Sequence, residues 1–120
     1  MHVINSFGQN KIFEFKSPNL SPYKQGDEYK RLKATKELLE AIDEIISYIR
    51  RTGLNANFLP QMGLKIIEPS GIIVIGYNLD AEEITLLETW NQFLYPHIRI
   101  ITYNSLLSKA KQEISLFDKI

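Results

Sequence analysis

Gly71-Ile72-Ile73-Val74-Ile75-Gly76 is an unbroken β-branched run between two glycines, with no polar alternation. A strand with one wet face alternates apolar and polar residues, so this pattern predicts a central strand covered on both faces, the arrangement of an α/β sheet flanked by helices. The segments around it agree. Asp80-Ala81-Glu82-Glu83 has the spacing of a capping box, and Ile84, Leu87, Trp90 and Leu94 form the apolar stripe of a helix that Pro96 stops. Ile98 to Thr102 reads as the next strand, and Asn104 is expected to cap a last helix reaching about Phe117, with Leu106, Leu107, Ala110 and Ile114 on its apolar face.

Upstream, residues 2–7 and 11–16 are short β-rich runs on either side of Gly8-Gln9-Asn10, a hairpin signature. Residues 17–29 hold two prolines and a glycine and read as a loop. The clearest helical pattern covers about 30–52: Leu38, Leu39, Ile42, Ile45, Ile46 and Ile49 recur at three- and four-residue steps, and Gly53 is expected just beyond the end. Glu37, Glu40, Asp43, Glu44 and Ser47 fall off that stripe. Residues 54–70 look irregular, with a short strand expected at Leu64 to Ile67. The order predicts one α/β domain over 1–120, a mixed sheet with flanking helices and neither repeat nor low-complexity tract. The chain opens almost at once on a strand, so an N-terminal helix or strand is expected to be missing or supplied by another chain; the uncovered edge predicts self-association into a homo-oligomer.

With 120 residues, 44% of them apolar, the chain can bury a modest core without staples, and having no cysteine it has no disulfide, thiolate metal site or cysteine nucleophile. No signal peptide and no membrane span is expected, since the longest aliphatic run is Ile72 to Ile75; the expected compartment is the cytoplasm. Lys+Arg and Asp+Glu balance at 14 each, which argues against a partner held by a global positive field. Lys24, Lys30, Arg31, Lys33 and Lys36 nevertheless cluster against Asp27 and Glu28, either a solvated face or a surface for phosphates.

His2 and His97 are the only histidines and lack metal-ligand spacing; the glycines do not form a phosphate-cradling loop, and no serine has a nucleophile-elbow context. Phe13, Phe15, Tyr48, Phe58, Tyr77, Trp90 and Phe93 are expected to lie mostly in the core. What remains is Ile12-Phe13-Glu14-Phe15-Lys16, closed by Ser17-Pro18. In a strand, Glu14 and Lys16 share one face about 6–7 Å apart, as a solvated pair or as a carboxylate and an amine acting on one water or phosphate.

Three stretches in order, Phe13 to Asn19, Leu39 to Tyr48, and Gly71 to Tyr77 with Ile100 to Leu107, resemble the nuclease domain of the Shedu anti-phage defence proteins, of the PD-(D/E)xK, restriction-endonuclease-like group. The resemblance implies a metal-dependent DNA endonuclease, with Glu14 as the carboxylate that helps hold Mg²⁺ (or Mn²⁺) and Lys16 as the lysine that orients the attacking water. It places Glu44 where the family has a glutamine, as a second ligand to the metal, and makes Lys24, Lys30, Arg31 and Lys33 candidates for DNA contact. It puts Asn104 where the family's final motif has an acid. No Asp precedes Glu14, where the family carries its metal-binding aspartate. The chain as it stands is therefore expected to be weakly active or inactive, with a non-catalytic interaction or oligomerisation module as the alternative.

Overall fold

The computed structural model describes residues 2–6, 9–26, 31–54 and 70–118. Nine elements follow in order: β1 (His2–Ser6), β2 (Gln9–Phe15), β3 (Tyr23–Gln25), β4 (Leu32–Ala34), α1 (Lys36–Leu54), β5 (Ser70–Val74), α2 (Ala81–Leu94), β6 (Ile98–Ile101) and α3 (Tyr103–Asp118). Four strands make a mixed sheet in the order β1-β2-β5-β6, and β3 and β4 make a separate antiparallel pair. β1 runs antiparallel to β2, whereas β2, β5 and β6 are mutually parallel. The expected α/β architecture and the central position of the Ile72–Ile75 run are both present. The predicted strand at 64–67 lies outside the described residues.

The register sorts the side chains into two faces. Ile12, Gly71 and Ile98 form one row and Glu14, Ile73 and Ile100 the next. This inner face packs on Leu38, Ala41, Ile42 and Ile45 of α1, with Leu86, Leu87, Trp90 and Leu94 of α2 partly buried against the same cluster. Gly71 is required for this approach: a Cβ there would lie 2.3 Å from Ile45 Cγ2. The outer face carries Lys11, Phe13 and Phe15 on β2, Ile72 and Val74 on β5, and Arg99 and Ile101 on β6.

Local chemistry sets the boundaries. Thr35 caps α1, its Oγ1 accepting from Leu38 N at 3.4 Å while its own N–H and hydroxyl donate to Pro22 O. Residues 32–34 are thus strand and not the start of the helix, as its periodicity had implied, and 23–25, within the expected loop, pair with them. Gly53 lies inside α1. Asp80 and Glu83 make the predicted capping box reciprocally, at 2.8 and 3.3 Å. Thr102, not Asn104, caps α3: its Oγ1 accepts from Ser105 N at 3.3 Å.

Some apolar residues expected inside are outside. Leu39 and Ile46 are exposed because the buried stripe of α1 is only as wide as the Leu38–Ala41–Ile42–Ile45 face. Phe15, Tyr77 and Phe93 are also exposed, while Phe58 lies outside the described residues. Phe13 and Phe15 stack at 5.8 Å on the outer face, Phe15 remaining 41% exposed.

The free edge of β6 is closed by a side chain. Asn91 of α2 donates through Nδ2 to Ile100 O at 2.9 Å and accepts at Oδ1 from Ile100 N at 2.7 Å, reproducing the two bonds of a missing strand.

Candidate functional site

Because β2, β5 and β6 are parallel, their C-terminal ends meet on one rim of the sheet, where binding sites of open α/β sheets form. The chain leaves the rim through Lys16-Ser17, Ile75-Gly76 and Thr102-Tyr103, and backbone bonds lace these exits together. Lys16 N donates to Val74 O at 2.9 Å, Ile75 N to Ile101 O at 3.0 Å, Gly76 N to Ser17 O at 3.3 Å and Tyr103 N to Gly76 O at 2.9 Å. Gly76 has φ +78°, and a Cβ would meet Leu20 O at 3.1 Å, so a side chain there would be strained as well as crowded. Asn78 takes the left-handed conformation at φ 55°, which its residue type tolerates. Tyr103 completes the lacing, its hydroxyl donating to Lys16 O.

Glu14 and Lys16 stand at this rim on the inner side of β2. Glu14 is 7% exposed, in the row of Ile73 and Ile100, and Lys16 Nζ lies 3.5 Å from Glu14 Oε1. A carboxylate this far from water needs charged or hydrogen-bonding company, and the ammonium supplies it. Lys16 keeps one-fifth of its side chain exposed, so the pair is largely buried but not sealed from solvent. Chemically, this is a fixed negative oxygen beside a donor of three protons at the mouth of a parallel sheet, an arrangement able to bind and orient a phosphate or a water.

The other candidate residues are dispersed. Glu44 is exposed on α1, and among the described residues no three His, Asp or Glu side chains gather in metal-binding proximity. Lys24 and Lys33 are directly paired across β3 and β4 and both exposed, with exposed Arg31 beside them; Lys30 lies outside the described residues. Among the described residues this strand pair presents three exposed cations close together, the two facing lysines repelling one another. Asn104 turns its side-chain oxygen inward, buried and without a hydrogen-bond partner. Tyr103 lies in the Ile100 to Leu107 stretch that carries the family resemblance, but the sequence alone assigned it no role of its own.

No helix among the described residues is long and apolar enough to cross a membrane. Comparison with curated proteins gives no match. Comparison with protein families gives one over residues 1–107, to the family described as "Shedu protein SduA, C-terminal".

Proposed function

The chain belongs to the Shedu SduA C-terminal family, and from this membership we propose that it is the DNA-cleaving domain of an anti-phage defence protein, hydrolysing phosphodiesters at the Glu14/Lys16 rim. The observation that carries the reading is the buried Glu14 carboxylate held 3.5 Å from Lys16 at the C-terminal ends of three parallel strands. An antiparallel hairpin leading into parallel strands also suits a restriction-endonuclease-like sheet. In this reading Lys16 binds and orients the scissile phosphate or the attacking water, Glu14 fixes the ammonium and polarises that water, and Lys24, Arg31 and Lys33 hold the DNA backbone.

Mg²⁺ or Mn²⁺ would be the cofactor the family resemblance implies. The described residues do not by themselves fit such an ion: they offer one buried carboxylate, already facing an ammonium, whereas Mg²⁺ takes a near-octahedral set of oxygens. Further oxygens would have to come from the DNA and from another carboxylate, so the 120-residue chain alone is expected to cleave little or not at all.

The test uses the whole defence protein with this domain, plasmid DNA and Mg²⁺ or Mn²⁺. Cleavage is expected, and Glu14→Gln and Lys16→Ala each lower it by about 10²-fold or more while the thermal unfolding transition stays in place. Cleavage that survives both substitutions overturns the assignment.

A second reading, an interaction or self-assembly module, is favoured by exposed apolar side chains: Leu39 and Ile46 on α1, Ile84 and Phe93 on α2. It predicts a homo-oligomer. A sedimentation run giving only a 13.9 kDa species at high concentration counts against it.

A further inference from the structure

The outer face of the sheet carries a trough lined by neither Glu14 nor Lys16. Two adjoining cavities there, of about 280 and 370 Å³, and a third of about 280 Å³ beside α2 are each lined in part by Arg99 on β6. The first lies against α3, where Ser105, Ser108 and Lys109 stand at i, i+3 and i+4 and so share one helix face. The second extends toward the start of β2 and β5, adding Lys11 and the ring of Tyr95. Ile72 is common to both, and neither is lined by an Asp or Glu. Glu88 enters only the third.

Among the described residues Lys11, Arg99 and Lys109 form no ion pair. Three cations thus line the second cavity, whose remaining polar side chains are hydroxyl and amide. The sheet register puts Lys11 and Arg99 on the same face, two strands apart and one two-residue step along, a Cα separation of about 12 Å. That span is too long for one small anion to bridge but suits a ligand with repeated charges. Tyr95, 80% exposed, offers a flat face at one end of the trough.

A positively charged groove with an open aromatic ring is what unpaired bases on a phosphodiester chain require, whereas a duplex keeps its base faces stacked inside. We propose that the Lys11–Arg99–Lys109 trough binds single-stranded nucleic acid, the three cations and the α3 hydroxyls holding phosphates and Tyr95 stacking on a base. This site is separate from the Glu14/Lys16 rim and does not rest on the cleavage reading.

The experiment is fluorescence anisotropy of the 120-residue chain with a labelled 20-mer of thymidylate, without divalent metal, across a range of salt. The wild type is expected to bind, and Arg99→Gln/Lys109→Gln is expected to lower the slope of log Kd against log salt by about 1.4, or about 0.7 per phosphate contact removed. Tyr95→Ala weakens binding by about fivefold or more without changing that slope. Lys36→Gln, which removes an exposed lysine on α1, leaves Kd unchanged. Binding is read without divalent metal and without cleavage, so this proposal and the cleavage reading fail separately. Absence of binding by the wild type, an unaltered salt slope in the double variant, an equal loss in Lys36→Gln, or a matched duplex bound with the same dependence on Tyr95 overturns the proposal.

Discussion

The hydroxyl of Tyr103, the first residue of α3, donates to the backbone carbonyl of Lys16, tying the end of β2 to the start of the last helix across the mouth of β5. The lysine's backbone is thereby held from both sides, its N–H by Val74 and its C=O by Tyr103. Tyr103→Phe is expected to cost about 0.5–1.5 kcal/mol of stability, the net worth of one such bond. On the proposed cleavage at the Glu14/Lys16 rim, it should also slow the reaction by about tenfold with little change in KM, since the loss is one of aim and not of DNA contacts. Denaturant unfolding and steady-state kinetics read the two effects apart.

Asn91→Ala strips the backbone of Ile100 of both its edge partners. Each uncompensated group costs about 1–3 kcal/mol, so a loss of about 2–6 kcal/mol is expected by urea unfolding. Asn91→Asp keeps an acceptor for the Ile100 N–H but points an anion at the Ile100 carbonyl, and should recover less than half of that loss.

Gly71 and Ile45 form a matched pair, one lacking the carbon that the other would strike. Gly71→Ala is expected to destabilise by about 1–3 kcal/mol through overpacking. Ile45→Ala alone should cost about 2–5 kcal/mol through the cavity it leaves. In the double variant the new methyl enters that cavity, so the combined loss is smaller than the two single losses added. A double-mutant cycle showing simple additivity would contradict the packing described here.

Tyr23 is buried against Trp90, their ring centroids 6.1 Å apart, and its hydroxyl has no hydrogen-bond partner. Burial disfavours the phenolate and raises the pKa well above the ordinary tyrosine value. The unfolded chain therefore loses this proton first. The stability contributed is fully present below about pH 10 and is lost as pH climbs from there toward the higher folded pKa. Tyr23→Phe should gain about 1 kcal/mol at neutral pH by removing an unsatisfied hydroxyl, and should flatten the decline between about pH 10 and 11.5. Denaturant midpoints measured across that range check both.

The parts of the fold legible in the sequence are those where local pattern and tertiary role coincide. The Ile72–Ile75 run announced a covered strand because both of its faces are apolar, and Asp80 with Glu83 announced a helix start because the capping box is made within four residues. The strand pair at 23–25 and 32–34 was not legible: three residues are too few for an alternation, and Tyr23 is fixed by Trp90, far along the chain. Periodicity also showed that Glu14 and Lys16 share a face, but not which face. Two phenylalanines make the better apolar surface by composition, yet Gly71 beside Ile12 lets α1 approach the other side, and the carboxylate follows Ile12 inward. The contacts of Arg99 and Tyr103 depend on where α3 returns, which no local pattern encodes.

Strands β2 and β5 are neighbours in space, but Ser70 follows Phe15 only after α1 and the small hairpin. Closing a loop of that length costs about 3.5 kcal/mol of chain entropy, far more than the tight β1–β2 hairpin requires. The hairpin and the β5-α2-β6 segment can each assemble from local contacts, so their joining is expected to come late in folding. The seam they form is the one that Lys16 N closes on Val74 O. The Glu14/Lys16 ion pair is therefore set in its rim by the last zipper to shut, and a nascent or partly unfolded chain carries the two residues without the frame that positions them.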